Sequence, residues 1–380
     1  MVEISLHGVT KAYRDPDAGE VAALDALDLV FPDGSVTAVT GPAGCGKTTV
    51  LRVIAGLEDI DAGEVRFDGV DVTGASPRER DVALVTQDSA VYPHLTVRQQ
   101  LAEPLRYRGI GRAESDERVL AEARVLGLER LLDRLPRTLS AGDRQRLALG
   151  RALVRRPKAF LLDEPLAAVD AHERTRLRAE LARLWQGFAT TTVYVTHDTT
   201  EAMVLADRIA VLDAGRVLQV DPPQVCYDRP ANAQVARFIG GRTMRLVDAE
   251  VTDRGLRVGE VVLPIGTAVR ESLGARRRVL LGLRASAVRL AEDAAESHRG
   301  DSVPVAVSVE RAVGAGAELD LEVVLEPGGP NAPRLLTPPP RDQAVRVGDA
   351  AIARIDVGAC PIFDAVDGAA LHFGRGHGSA

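Results

Sequence analysis

Residues 41–48 read Gly41-Pro42-Ala43-Gly44-Cys45-Gly46-Lys47-Thr48. The octet meets the phosphate-loop pattern G-x-x-x-x-G-K-[ST] at every fixed position. Its glycines let the backbone curl so that successive N–H groups point at phosphate oxygens. Lys47 is placed to reach the β- and γ-phosphates of a nucleotide, and the Thr48 hydroxyl to ligate Mg2+. Upstream, residues 35–40 (SVTAVT) form a β-branched run that predicts a buried strand. Downstream, Thr49 opens a stretch of helical spacing through residue 55. A strand, a glycine loop and a helix in that order put the anion at a helix N-terminus.

Composition narrows the classes around this loop. The chain has 380 residues, 46% hydrophobic and 27% charged, enough for two or three domains with ample core. A net charge of −7 argues against a dedicated nucleic-acid binder, whose footprint is basic. Three cysteines, Cys45, Cys226 and Cys360, are too few and too scattered for a disulfide framework or a zinc site, which points to a reducing cytosol. The expectation is no signal peptide and no membrane span, since no window approaches 18 apolar residues; a membrane role would then come through a partner.

From residue 2 to about 235, strand-like runs alternate with helical patterns, the mark of an α/β sheet covered by helices. Residues 90–155 interrupt that rhythm with mostly helical patterns and read as a helical insertion. Beyond residue 240 the character changes. Strand candidates at 246–251, 256–263, 278–283, 303–309, 318–325 and 350–357 are separated by turns, with helical signal nearly absent, as in small β-barrels. Residues 292–302 and 326–342 read as mobile loops. The expected domains are therefore 1–240 and 241–380.

Several residues gather chemistry around the loop. The apolar run 159–162 ends in Asp163 and Glu164, and ligands bind at the carboxyl ends of strands in open α/β sheets. Asp163 is placed to hold Mg2+ beside Thr48, and Glu164 to polarise a water in line with the γ-phosphate. His197 ends a further β-branched run and can steady that water and Glu164. Gln87 follows the strand candidate 82–86; its neutral amide suits Mg2+ coordination or water positioning. Ser140, with Asp143 three residues on, fits a capping box at the start of a helix. A serine hydroxyl, Gly142 and a helix N-terminus also make an anion site. Lys47 already serves the phosphates of its own chain, so this second site must meet a nucleotide elsewhere.

These ordered motifs resemble the nucleotide-binding subunit of an ABC transporter, more narrowly the ATPases of bacterial binding-protein-dependent sugar importers. The resemblance covers essentially the whole chain. It rests on residues 41–48, Gln87, the signature at 139–143, Asp163-Glu164, Asp170 and His197; residues 77–83, 92–97, 229–232 and 238–240 are similar to the sugar-importer branch. It implies an α/β fold, a RecA-like P-loop NTPase core with a helical subdomain, followed by an all-β OB-like TOBE domain carrying 281–284 and 362–364 as landmarks. It implies ATP and Mg2+ as cofactors. Tyr13 would stack on adenine; Gly41, Pro42, Ala43, Gly44, Cys45, Gly46, Lys47, Thr48 and Thr49 would hold the phosphates, with Thr48, Gln87 and Asp163 on the metal. Two subunits, expected to be identical, would close head to tail so that Ser140 and Gly142 of one meet the ATP of the other, with Asp170 a further nucleotide-binding residue. Glu164, His197 and Gln87 would serve hydrolysis. Integral-membrane permease subunits would dock near residues 88–97 and an extracytoplasmic solute-binding protein would act indirectly, which places the chain peripherally on the cytoplasmic face of a bacterial plasma membrane, with no nucleic-acid partner.

The departures are specific. The family signature is Leu-Ser-Gly-Gly-Gln, and here Ala141 and Asp143 replace its third and fifth residues. A carboxylate near a triphosphate is repulsive unless Arg144 or Arg146 screens it. Residues 167–169 lack the usual Ser-Asn-Leu before Asp170, and Thr86 replaces a customary phenylalanine. The expected function is solute import driven by ATP hydrolysis, with a sugar or sugar derivative as solute. Import of a polyamine, iron or sulfate, and a weakly hydrolysing regulatory ATPase, are the alternatives.

Overall fold

A computed structural model describes residues 2–15, 19–86, 91–167, 169–187, 190–290, 302–313, 320–325, 333–339 and 345–374. Internal contacts divide the chain into two units, Met1–Pro223 and Gln224–Ala380.

The first unit opens with β1 (Ile4–Asp15), β2 (Gly19–Phe31), β3 (Val36–Thr40) and α1 (Lys47–Ala55). Then come β4 (Ala62–Phe67), β5 (Val70–Asp71), α2 (Pro77–Arg80) and β6 (Val82–Val85). Three helices, α3 (Val97–Tyr107), α4 (Arg112–Val125) and α5 (Ala141–Leu153), precede β7 (Ala159–Asp163). The unit continues through α6 (Ala171–Gly187), β8 (Thr191–Val195), α7 (Thr199–Leu205), β9 (Arg208–Asp213) and β10 (Arg216–Asp221).

Its main sheet has the order β10-β9-β3-β8-β7-β6. The five strands from β9 to β6 run parallel, and β10 adds an antiparallel edge. Every residue of β3 and β8 is buried. Both are β-branched runs, the composition that a strand covered on both faces demands. A second, antiparallel sheet has the order β2-β1-β4-β5. α1 joins the two: Val50, Leu51 and Ile54 share one core with Ile4, Leu6 and Phe31 of the antiparallel sheet and Val39, Leu161 and Val193 of the parallel one. Each fully buried aliphatic side chain there contributes roughly 1.5–3 kcal/mol. The helix that carries the phosphate loop is thereby clamped from both sides. α3, α4 and α5 form the expected helical subdomain with a core of their own, including Leu101, Leu105, Val119, Leu128 and Leu147.

The second unit contains α8 (Pro223–Asp228), α9 (Ala233–Gly240), β11 (Met244–Thr252), β12 (Gly255–Val258), β13 (Val261–Leu263) and α10 (Thr267–Leu273). β14 (Arg278–Arg284), β15 (Val288–Leu290), β16 (Ser302–Val313), β17 (Asp320–Leu325) and β18 (Arg334–Thr337) follow. β19 (Ala350–Asp356), β20 (Ile362–Asp364) and β21 (Ala370–His372) end the described chain. Two antiparallel sheets, β13-β12-β11-β14-β20-β21 and β15-β19-β16-β17-β18, enclose a common core with Leu256, Val279 and Leu281 from one and Val307, Val323 and Ile355 from the other. The strand spacing predicts such a β-rich tail, and its antiparallel sheets are consistent with the OB-like domain that the resemblance implies.

Three details depart from the sequence reading. The run 256–263 is two strands, because the chain turns at Gly259, whose φ is +59°. α10 is a helix where none is expected; its seven residues are fewer than the window in which helical periodicity stands out, and Val269 and Leu273, one turn apart, are its only buried residues. The contact division lies at Pro223–Gln224, ahead of the change in composition at residue 240. Residues 224–240 pack with the β strands: Ala233 and Ala236 of α9 share a cluster with Met244 and Phe363, and Asn232 bridges Ala369.

Candidate nucleotide-binding site

The register of the parallel sheet builds the site. Val39 of β3 pairs with Val195 of β8, and Val195 pairs with Asp163 of β7. Three neighbouring strands therefore end at one level, and the chain leaves them as the phosphate loop, Thr196-His197 and Glu164. Thr40 Oγ1 ties two of these exits together by donating to the Thr196 carbonyl at 2.8 Å. The antiparallel sheet closes the loop from the other side. A side chain on Gly46, at φ +103°, would stand 2.3 Å from the Ala23 carbonyl oxygen, so only glycine fits. Tyr13 pairs with Val21, two residues along β2 from that contact, and is partly exposed with the Lys11 ammonium 5.3 Å from its ring.

Inside the loop, Lys47 is buried. Its Nζ donates to the Gly41 and Pro42 carbonyls at 2.9 and 2.8 Å and lies 3.8 Å from Cys45 Sγ. Burial pushes the Cys45 thiol up, against the opposing pull of the Lys47 charge. α1 begins at Gly46 with no side-chain cap and no acidic residue in its first turn. Its first N–H groups thus have no carboxylate or hydroxyl of the helix's own to satisfy them.

Thr48 Oγ1 stands 3.4 Å from Asp163 Oδ1. Burial pushes the Asp163 carboxyl above the usual carboxylate range, the Thr48 hydroxyl pulls it back, and the Glu164 charge adds to the rise. These two hard oxygen donors suit Mg2+. Among the described residues no three His, Cys, Asp or Glu side chains form a metal cluster; Gln87, the third residue expected on such an ion, lies outside the described residues.

Glu164 follows β7 in a left-handed backbone conformation, φ +47°, with its N–H donating to the Val195 carbonyl at 2.9 Å. A non-glycine residue held there stores on the order of 1 kcal/mol. Its Oε1 lies 3.0 Å from His197 Nδ1. The histidine is 62% exposed and the glutamate 21%, so the pair faces outward. A carboxylate that the sequence reading missed fixes Thr196, the residue before His197. Glu201, buried in α7, accepts at Oε2 from Tyr194 Oη and from Thr196 Oγ1, both at 2.8 Å. Thr196 Oγ1 in turn accepts from the Asp198 N–H at 3.0 Å, and Asp198 caps α7. His197 is held between two fixed residues, with its ring on Glu164.

Ser140 and Gly142 lie at the N-terminus of α5. Ser140 Oγ accepts from the Asp143 N–H at 3.0 Å, which is the expected cap. The acid does not complete the box through the Ser140 backbone: Asp143 Oδ2 takes the Ser140 hydroxyl proton at 2.8 Å, while Oδ1 takes Arg146 Nη1 at 2.9 Å. Of the two arginines considered, Arg146 screens Asp143, and Arg144 donates to the Leu139 carbonyl. Asp170 caps α6, accepting from the Glu173 N–H at 3.0 Å. Glu173 and Glu180, also missed in the sequence, come from α6 against α5, 30 or more residues away, where no local pattern points to them. Gln87, the neighbouring residues 88–90 and Ala168 lie outside the described residues, as does most of the two loops read at 292–302 and 326–342.

Beside β6, a cavity of about 1070 Å³ is lined by Ala83, Val85, Tyr92, Tyr107, Arg108 and Arg151 among others. The Arg151 guanidinium stacks 4.6 Å from the Tyr92 ring centroid, and Arg108 pairs with Asp81. Among the described residues no helix is long and apolar enough to cross a membrane.

A family model described as ABC transporter matches residues 24–167. The chain is 40% identical over 391 residues to a trehalose import ATP-binding protein of Mycobacterium tuberculosis, covering 98% of each. It is 44% identical over 328 residues to an sn-glycerol-3-phosphate import ATP-binding protein of Rhizobium etli, covering 86% of this chain and 88% of that one. A diacetylchitobiose uptake system ATP-binding protein of Streptomyces coelicolor is 39% identical over 355 residues, 90% of each. Among solved structures, a dimeric ATP-binding cassette in a post-hydrolysis state with ADP and Pi has a TM-score of 0.52 at 30% identity, covering 58% of this chain and 98% of that one.

Proposed function

This chain belongs to the ABC transporter ATP-binding family, and on that premise we propose how its site drives transport. The chain is an ATPase subunit of an importer. The observation that carries the assignment of roles is the convergence, at three adjacent strand ends, of Lys47-Thr48, Asp163-Glu164 and His197.

On ATP binding, Lys47 exchanges its carbonyl partners for β- and γ-phosphate oxygens, and the uncapped N–H groups of α1 take the remaining negative charge. Tyr13, with its ring exposed, stacks on adenine. Thr48 and Asp163, with Gln87, hold Mg2+, which when bound supplies charge neutralisation across the phosphates. Glu164 accepts the proton of the attacking water, which adds to the γ-phosphorus as the ADP oxygen departs. His197, whose neighbour Thr196 is fixed by Glu201, orients Glu164 through the 3.0 Å contact and would face the γ-phosphate.

Two copies close head to tail, so that Ser140, Gly142 and Asp170 of one meet the ATP of the other. The dimeric cassette among the structural relatives supports this arrangement. The cavity beside β6, with its stacked Arg151 and Tyr92, receives a cytoplasmic segment of a membrane permease; closure and reopening of the ATPase pair then switch the permease. The solute is a sugar or sugar derivative delivered by an extracytoplasmic binding protein, a reading supported by the names of the trehalose, diacetylchitobiose and glycerol-phosphate relatives. The chain then sits peripherally at the cytoplasmic face of the plasma membrane.

The test is affinity capture from native membranes with full-length Glu164→Gln held in ATP. Co-purification of two multi-span permease subunits is the expected result. Recovery of soluble proteins alone would overturn the importer assignment.

A further inference from the structure

The N-terminus of α5 is already engaged by carboxylates of its own chain. A serine hydroxyl has a single proton to donate, and that of Ser140 goes to Asp143 Oδ2 at 2.8 Å. Asp143 is fixed in this position, because its other oxygen takes Arg146 Nη1 at 2.9 Å. Arg146 is fixed in turn by Glu180, to which Nε and Nη2 donate at 3.1 and 2.9 Å. A further carboxylate covers Gly142: a Cβ on that glycine would lie 2.5 Å from Glu173 Oε1. Glu173 is anchored by Arg176 at 2.6 Å, with Arg146 4.0 Å away. Asp143, Glu173 and Glu180 thus share Arg146 and Arg176, and neither guanidinium is left over for an incoming anion.

We infer that Asp143 and Glu173 are resident competitors for the γ-phosphate presented by a second copy, and that they set the strength with which ATP closes the dimer. The inference rests on the proposal that Ser140 and Gly142 meet the partner's ATP. To donate to a phosphate oxygen, Ser140 must turn its proton away from Asp143. The phosphate must also approach past the Glu173 carboxylate, a like charge at short range. Loss of one charge-assisted hydrogen bond and one such repulsion is an affinity difference of about tenfold or more. With glutamine at both positions the competing negative charges are gone, and the amides that remain hold the hydroxyl and cover the glycine more weakly than the carboxylates do.

The experiment uses full-length protein in the Glu164→Gln background, with the ATP-dependent dimer dissociation constant read by analytical ultracentrifugation. Asp143→Gln with Glu173→Gln is expected to tighten the dimer about tenfold or more, with ATP affinity of the separated chain unchanged. The isosteric Asp143→Asn, whose neutral oxygen still accepts weakly from Ser140, is expected to fall between, and it retains the helix cap if the glutamine pair fails to fold. A dissociation constant unchanged or weakened in both variants would overturn the inference. Ser140→Ala separates its failure from failure of the parent proposal. If Ser140→Ala weakens the dimer while the carboxylate variants leave it unaltered, only the inference fails. If Ser140→Ala dimerises as tightly as its background, Ser140 does not meet the partner's ATP and both fall.

Discussion

Two helix N-termini in the first unit carry the proposed phosphate contacts, and they are built in opposite ways. α1 starts at Gly46, uncapped, with no acid in its first turn and with Lys47 inside it. α5 starts at Ser140, capped by its own serine, with Asp143 on the hydroxyl and Glu173 on the glycine. The backbone dipole is the same in both. What differs is the partner that the nearest donor must give up: Lys47 leaves two neutral carbonyls, and Ser140 leaves a carboxylate that Arg146 anchors. On the proposed roles, the open end would take its nucleotide in isolation, giving up only neutral carbonyls, and the closed end would have to give up a carboxylate to receive the partner's. An ATPase built this way would, on those roles, bind ATP readily and close on it reluctantly.

The comparison can be broken first at the open end. Lys47→Ala should weaken ATP binding by about 100-fold, since it removes the charge-assisted contacts to the phosphates. Isothermal titration checks this, and retained affinity would mean that α1 is not the nucleotide's seat. The carboxylate that fixes Thr196, beside His197, comes next. Glu201→Ala leaves the Tyr194 and Thr196 hydroxyls buried without an acceptor, which should cost about 1–3 kcal/mol in denaturant unfolding. It should also lower kcat with KM little changed; Glu201→Gln, which keeps an acceptor oxygen, should restore much of both. The closed end is sharpened by Ser140→Ala in nucleotide-free protein. Loss of the cap should reduce stability by about 1 kcal/mol, and an unchanged unfolding midpoint would mean that the hydroxyl does not hold α5.

The smallest effect concerns Asp163. Its native carboxyl is raised above the ordinary 3.8 by burial. A raised native value makes the protonated form the favoured one, so this group's stabilisation is present below pH 3.8 and is lost as pH rises through the native value. Asp163→Asn, neutral throughout, should therefore raise the melting temperature of metal-free protein slightly at neutral pH. The gain should vanish near pH 3.8 and below. A uniform gain at all pH values would assign the effect to packing instead of charge.

Legibility followed sequence distance. The phosphate loop, the Asp163-Glu164 strand end and His197 announce themselves within windows of eight residues, and the register of β3, β8 and β7 brings them to one level as open α/β sheets require. The strands of the tail were legible for the same reason, each being a short alternating or apolar run. Glu173 and Glu180 reach α5 from a separate helix, and nothing near either residue encodes that meeting. Glu201 was within reach. Asp198-Thr199-Thr200-Glu201 has the spacing of a cap and its acid, and the hydroxyls of Tyr194 and Thr196 point to an inward carboxylate. The Ser140–Asp143 pair shows the limit of such patterns: the spacing predicted the cap and could not say which proton the acid would take.

The central claim is that Glu164, paired with His197 beside the phosphate loop, is the group that activates water. Its most direct test is ATP turnover by Glu164→Gln set beside ATP binding by the same protein. Hydrolysis reduced by about 100-fold or more, with one ATP still bound per chain at undiminished affinity, is the predicted result. Turnover at the rate of the unaltered protein would contradict the account.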